Sequence, residues 1–527
     1  MSARVVVLGF DACEVTLVER WAREGLLPNF ARLAARSRQW QLASPMTSLP
    51  GAIWPEINTG RSAAKDGHFY VPNRLRTGES RLRATRPDEM DAERYFWSIA
   101  GRAGRRVAVI DPVQAVPARG LNGVQLFEWG LHDRAFDVQS EPPEYLERLR
   151  ARFGDHPVRS CDRHGESVEG YRRLRDGLLQ GARCKAEFAS ELAAAERWDL
   201  FFCTFSESHC AGHQFWHFGD PLHPWHDRAA PDDLRHALRD VYAAIDAGVG
   251  RVLDAAGADA TVLAVFSHGM DLYYDGPQLL PEVLARLGYG SGGAHAGGRL
   301  MRAARRYVTY LPRPVKAVIK RTAQHAALRA PVAAAGCLVD PLDSPQTRAA
   351  FVYNNRCGAI RLNLRGREPR GTIALADAPR VLEQLANELR ALRDPASGEP
   401  IVAETFTAAA RFGAGHHPDL PDLMVVFRTD LGMLETCESP SVGRVHVPVY
   451  HPHAPRSGDH TPHSRCWVSG QGVDPRAAAA GGHVCDIAAT VLALLEVPLP
   501  PDLDGAPLFE APVAPGTGRE GVAAAMS

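Results

Sequence analysis

Asp199-Leu200-Phe201-Phe202-Cys203-Thr204-Phe205-Ser206-Glu207-Ser208-His209-Cys210-Ala211-Gly212-His213 is the stretch whose reading decides the fold. Its first half, through Phe205, is a run of apolar and β-branched residues and reads as a short strand buried on both faces. The run passes directly into a polar segment with two imidazoles at i and i+4, a glycine just before the second. That places both histidines at the carboxyl end of a parallel strand, the edge at which open α/β sheets bind ligands. The spacing sets both rings on one side of a helical turn, and neutral imidazole is a good ligand for zinc and other borderline metals. On these residues alone, two surface histidines in a polar loop is an equal reading.

Similar strand endings recur on either side. Val5-Val6-Val7-Leu8-Gly9-Phe10 is a continuous apolar strand that ends on Asp11, and Ala260–Phe266 ends on Ser267-His268-Gly269-Met270-Asp271. A strand-end aspartate serves as a cap or turn residue, or as a metal ligand at this edge. A third strand-end histidine makes coincidence harder to maintain. Pro45-Met46-Thr47-Ser48-Leu49-Pro50 sets two hydroxyls before a proline and an apolar helical turn. A serine there is an N-cap, or a nucleophile where the amides of a helix start hold a phosphoryl oxygen. Leu222–Asp227 reads as a polar loop, on the surface or lining a cleft. Further on, Gly358–Leu364 alternates like a half-exposed strand and Val381–Leu392 is an amphipathic helix. Pro421–Phe427 is a strand, Ser457-Gly458-Asp459-His460 precedes the strand Cys466–Val468, and Asp486–Leu492 starts a closing helix. Strands alternating with helices predict a doubly wound, mostly parallel α/β sheet with helices on both faces and an inserted cap region.

The chain has 527 residues, a formal net charge of −1, 45% hydrophobic and 23% charged residues. Nothing in that balance argues for a nucleic-acid or anionic-membrane surface. No apolar run approaches the ~20 residues that span a bilayer. The stretch before the first acidic residue is too short for a signal peptide, so a cytoplasmic protein is expected. The 10 cysteines stand singly, with no C-x-x-C pair, as reduced thiols do. The expected division is a core over 1–285, a basic helical insertion over 286–350 that carries Lys316 and Lys320, cap strands and the rest of the core over 351–510, and a flexible tail over 511–527.

In order along the chain stand Phe10-Asp11, Asn58-Thr59-Gly60, Gly67-His68, Gly212-His213, Ser267-His268-Gly269-Met270, Gly458-Asp459-His460, Asp486-Ile487-Ala488-Ala489-Thr490 and Asp504–Leu508. This order resembles the alkaline phosphatase superfamily, and within it the type I phosphodiesterase/nucleotide pyrophosphatase branch. The resemblance implies an alkaline phosphatase-like core with two divalent metal ions, zinc or else manganese, and a Ser or Thr nucleophile bound to one of them. Carried over by position, Asp11, Ser48 and His268 are implied as ligands of one metal, and His209, His213 and His460 of the other. Ser48 is favoured over Thr47 as the nucleophile. The implied activity is hydrolysis of a small-molecule phosphate ester, with no nucleic acid and no membrane as partner. Two departures stand out: the branch carries Asp where this chain has His209 and where it has Ser267, leaving Glu207 or Asp271 as compensating carboxylates. The missing carboxylates motivate the alternative of a degenerate, non-catalytic binder of a phosphorylated ligand or partner. The Cys-x-Pro-x-Arg site of sulfatases does not occur.

Overall fold

Strand Arg4–Phe10 runs through the middle of a nine-stranded sheet and sets the register for the ligand edge. It pairs in parallel with Leu200–Phe205, Phe10 opposite Phe205, and with Ala260–Phe266, Phe10 opposite Phe266. The residues that follow these three strands therefore emerge side by side. The ladder continues one residue further: the Asp11 amide donates to the Phe205 carbonyl at 3.0 Å and the Ser267 amide to the Phe10 carbonyl at 3.2 Å. This is a computed structural model, and it describes residues 4–69, 73–79, 83–132, 134–161, 167–272, 276–290, 342, 344, 346–352, 354, 357–447 and 456–510.

Across the sheet the order is Gly482–His483, Arg38–Ala43, Ser464–Ser469, Ala260–Phe266, Arg4–Phe10, Leu200–Phe205, Val107–Ile110, Gly123–Phe127 and Gln139–Glu141. The strands from Ala260–Phe266 through Gly123–Phe127 are parallel; Ser464–Ser469 and Gln139–Glu141 join antiparallel. Side chains alternate between two cores. Val6, Leu8 and Phe10 pack with Leu178, Ala182, Val241 and Ile245 of helices Val168–Ala195 and Ala237–Ala256. Val5 and Val7 pack with Trp97, Ile487 and Val491 of helices Phe96–Arg102 and Asp486–Leu494. Helices thus cover both faces, which is why these parallel strands read as unbroken apolar runs. Each large aliphatic side chain buried this way contributes about 1.5–3 kcal/mol.

Gly458–Thr461 is itself a strand, not a loop ahead of one. It pairs antiparallel with Gly269–Leu272, and His460 lies opposite Met270. This small ribbon carries His460 to the place where His268 leaves the main sheet.

A separate antiparallel sheet, in the order Ala349–Val352, Cys357–Leu362, Leu423–Phe427 and Val402–Thr407, has its own core with helix Ala378–Arg390. Strand Cys357–Leu362 is buried along its whole length, where alternation predicted a half-exposed strand. The reason is Arg361: its guanidinium is buried against Glu368 Oε1 at 2.9 Å and the Pro418 and Leu420 carbonyls at 3.0 and 3.2 Å. A charged residue that marks a solvent face in the sequence is here an internal ion pair. Of the expected basic insertion, residues 291–340 lie outside the described residues, as do the tail residues 511–527. The nine described cysteines are free thiols. Among the described residues no helix is long and apolar enough to cross a membrane.

Behind the ligand edge, Lys185 is wholly buried. Its ammonium lies 3.0 Å from Asp111 Oδ2 and 3.3 Å from Glu207 Oε1, and donates to the Thr204 and Gly130 carbonyls at 3.0 and 3.3 Å. Burial opposes this charge, but Glu207 and Asp111 more than offset it and push the ammonium pKa up. Lys185→Met leaves two carboxylates buried without their cation. It should cost about 3–5 kcal/mol, read as a lower urea midpoint.

Candidate metal centre

Helix Glu207–Gly219 starts directly after strand Leu200–Phe205, so His209 and His213 occupy its first two turns and face the same side. The glycine before His213 has a packing reason. A Cβ on Gly212 would lie 2.8 Å from Met270 Cγ, and one on Gly458 would lie 2.4 Å from the Gly212 carbonyl oxygen. Helix and ribbon can approach this closely only without those side chains. The approach brings His213 Nδ1 to 2.7 Å from the Gly458 carbonyl. That carbonyl can only accept, so Nδ1 carries the proton and the Nε2 lone pair is left for a ligand.

His209 is oriented in a parallel way. Its Nδ1 lies 2.7 Å from Asp11 Oδ2, while the Trp54 indole donates to Asp11 Oδ1 at 2.7 Å, so both carboxylate oxygens are engaged. His209 Nε2 then lies 3.0 Å from His213 Nε2 and 2.8 Å from His460 Nε2. His268 completes the group: its ring centroid is 4.5 Å from that of His460. Its Nδ1 is 2.9 Å from Ser267 Oγ, and its buried Nε2 has no hydrogen-bond partner among the described residues. His209, His268 and His460 each bring a ligand atom within 4.8 Å of the others.

This donor set fits a divalent cation. Lone pairs of neutral imidazoles facing one another at hydrogen-bond distance need a proton or a cation between them. Tetrahedral zinc with Zn–N of about 2.0–2.1 Å holds its nitrogens roughly 3.3 Å apart, close to the spacing seen.

Asp11, His209, His213, His268 and His460 are therefore gathered at one place. Ser48 is placed differently from expectation. It ends a single 3-10 turn, Pro45–Thr47, and helix Ile53–Thr59 begins only at Ile53, so Ser48 does not head that helix. Pro50 lacks an amide proton and biases Leu49 away from helical torsions, which separates turn from helix. Ser48 is buried, and its hydroxyl donates to the Pro45 carbonyl at 3.3 Å, long for such a bond.

The compensating carboxylates do not join the histidines. Glu207 pairs with Lys185 and lies 3.5 Å from His156 Nε2, and Asp271 is exposed with its Oδ1 accepting the Leu272 amide at 2.7 Å. The loop Leu222–Asp227 buries His223, whose Nε2 is 2.9 Å from the Ser457 carbonyl. Two side chains at the site were not singled out from the sequence. The His132 ring centroid is 4.1 Å from that of His209, and the buried Arg456 guanidinium reaches His213 Nε2 and His132 Nε2, each at 3.3 Å. His132 follows the apolar strand Gly123–Phe127, so the strand-end logic used for the other histidines would have found it.

Burial holds the imidazoles neutral. It lowers His213 and His460 well below the ordinary range, helped by the Arg456 charge and the neighbouring rings. It brings His268 down to about 3 despite the opposing pull of Asp11. Burial would raise the Asp11 carboxyl, but His209, with His268 and Trp54, outweighs it and holds the group ionised.

The sign for stability follows from the histidines. Below ~6.5 the unfolded chain takes up protons that the folded one refuses, so stability is lost as pH falls from there toward the folded values. For His268 alone the loss at pH 5 is about 2 kcal/mol. In chelator, the urea midpoint should fall between pH 7 and pH 5.

An open, mostly parallel α/β sheet thus gathers an aspartate and four histidines at its carboxyl edge. The sequence profile described as type I phosphodiesterase / nucleotide pyrophosphatase matches residues 5–446. The chain belongs to this family of phosphoric ester hydrolases. No curated protein gives a significant sequence match. Among solved structures, alkaline phosphatase PafA is similar at 12% identity, with 97% of this chain and 99% of that chain covered and a TM-score of 0.52. Phosphonoacetate hydrolase from Sinorhizobium meliloti 1021, in complex with phosphonoformate, is similar at 14% identity, with 94% and 95% covered and a TM-score of 0.48. Murine ectonucleotide pyrophosphatase/phosphodiesterase 5 in complex with AMP is similar at 11% identity, with 95% and 96% covered and a TM-score of 0.46. At 12% identity the likeness to PafA speaks to the fold alone.

Proposed function

We propose that this protein hydrolyses small-molecule phosphate esters, in the manner of a phosphodiesterase or nucleotide pyrophosphatase, with Ser48 as nucleophile and two bound divalent cations. The observation that supports this most is the convergence of His209, His213 and His460 through their Nε2 atoms, within 2.8–3.0 Å of His209. These three would hold one cation; Asp11, Ser48 and His268 would hold the other. Bound cations would lower the pKa of the serine hydroxyl and stabilise the attacking and leaving oxygens. Imidazole-rich donors with one aspartate favour zinc, or else manganese, over magnesium.

The chain's own residues do the rest. Ser48 Oγ would turn from the Pro45 carbonyl, give its proton to solvent and attack phosphorus as the ester P–O bond breaks and the departing oxygen takes up a proton; water would then attack phosphorus, losing a proton as Ser48 Oγ regains one. Asp11 fixes the ring of His209, and the Gly458 carbonyl fixes that of His213. Arg456 discourages protonation of His213 and His460. The antiparallel sheet around Cys357–Leu362 serves as the cap that bounds the substrate, and unpaired thiols fit a reducing compartment.

Dialysis against chelator followed by zinc, manganese or magnesium, with a panel of p-nitrophenyl mono- and diesters, tests the reading. Zinc or manganese should restore hydrolysis. Specific observations favour a second reading, a non-catalytic binder: both Asp11 oxygens are engaged, and Ser48 is turned onto Pro45. Bound metal without cleavage of any ester, together with retention of a phosphorylated ligand, would establish it.

A further inference from the structure

We propose that Cys161, Cys210 and His132 form a separate site for one thiophilic divalent cation of the zinc class, behind the histidine cluster. Cys161 Sγ lies 3.0 Å from His132 Nδ1, and Cys210 Sγ lies 3.3 Å from the same nitrogen. The three ligand atoms lie within 4.8 Å of one another, and all three residues are buried. They come from distant parts of the chain: the segment after strand Gly123–Phe127, the segment before helix Val168–Ala195, and the first turn of helix Glu207–Gly219. No C-x-x-C spacing announces them, which is why the cysteines look isolated in sequence.

Donor chemistry and spacing point to a cation. His132 Nδ1 has one lone pair or one hydrogen, so it cannot pair fully with both thiols, which also hydrogen-bond to each other. Two sulfurs and an imidazole nitrogen supply three of the four donors that a tetrahedral zinc takes, with Zn–S of about 2.3 Å and Zn–N of about 2.0–2.1 Å. Tetrahedral angles with those bonds separate sulfur from nitrogen by roughly 3.5 Å. The observed 3.0 and 3.3 Å therefore need only a small outward shift. On binding, each thiol loses its proton to solvent and the sulfur donates as thiolate.

The site shares the His132 ring with the histidine cluster and differs from it in taking two thiolates. It has a consequence for the cluster. With Nδ1 held by the cation, the His132 ring is fixed against His209 and its proton sits on Nε2, so the Arg456 guanidinium, 3.3 Å away and only a donor, would have to move off that nitrogen.

The test is cobalt(II) loading of the reduced full-length chain, followed by near-ultraviolet absorption. Thiolate ligation gives an intense sulfur-to-cobalt charge-transfer band that nitrogen and oxygen ligands do not. The band should appear in wild type and titrate away with added zinc. It should be lost in Cys161→Ser and Cys210→Ser, and persist in His460→Ala and Cys485→Ser. Absence of the band in folded wild type exposed to cobalt would overturn the proposal, as would its persistence in both serine variants. If those variants fail to fold, wild type and Cys485→Ser decide: a band in both supports the site, and loss in Cys485→Ser moves the thiolate ligand to Cys485.

Discussion

Ser48→Ala should lower kcat/KM for a phosphate ester by about 10³-fold or more, a loss of roughly 4 kcal/mol or more in transition-state stabilisation. Circular dichroism should stay unchanged, because among the described residues the one hydrogen bond lost is the long one to Pro45 at 3.3 Å. One cation should remain at full occupancy, since His209, His213 and His460 are untouched, and the other should be weakened only by loss of a hydroxyl ligand. Thr47→Ala should retain most activity. The reverse pattern, wild-type turnover in Ser48→Ala and loss in Thr47→Ala, would assign the nucleophile to Thr47.

His209→Ala should be as damaging by another route. This ring is the node of the cluster: Nδ1 meets Asp11 at 2.7 Å, and Nε2 meets both His213 at 3.0 Å and His460 at 2.8 Å. Removing an outer partner of a metal ligand costs roughly 10–100-fold in affinity, so removing this ligand should cost at least ~100-fold, with activity falling in parallel. Among the described residues it also leaves the buried Asp11 carboxylate with Trp54 alone as a hydrogen-bond donor, a further ~1–3 kcal/mol of stability. Isothermal calorimetry with zinc measures the first effect and urea denaturation the second. His209→Asp makes the contrast: a second carboxylate beside Asp11 should destabilise the metal-free protein and make its folding depend more steeply on added zinc.

The part of this site that was legible in sequence is the part fixed by strand register. Phe10, Phe205 and Phe266 stand opposite one another, so Asp11, His209 and His268 had to emerge at one edge once three buried strands were recognised. His460 was found as a motif, but the ribbon that carries it depends on pairing with Gly269–Leu272, a contact far off in the chain. Ser48 shows a different limit. Its proline neighbours and the apolar turn after them read as a helix start, and only the three-dimensional path shows Pro50 separating turn from helix. Arg361 misled for an energetic reason, since a buried ion pair with Glu368 and a solvated arginine look alike along a strand. Burial also sets the response to pH. Histidines at their ordinary pKa would release metal near ~6.5, whereas His268 at about 3 stays neutral well below that. Metal should therefore be retained into mild acid until the fold itself gives way.

The most direct test of metal-dependent hydrolysis through Ser48 is acid-quenched turnover followed by peptide mass spectrometry. Zinc- or manganese-loaded protein, mixed with a cleavable phosphate monoester and quenched within a turnover, should carry a phosphoryl group on the peptide containing Ser48. Metal-stripped protein should carry none. A phosphoryl group on another residue, or equal ester cleavage by metal-stripped protein, would contradict the assignment.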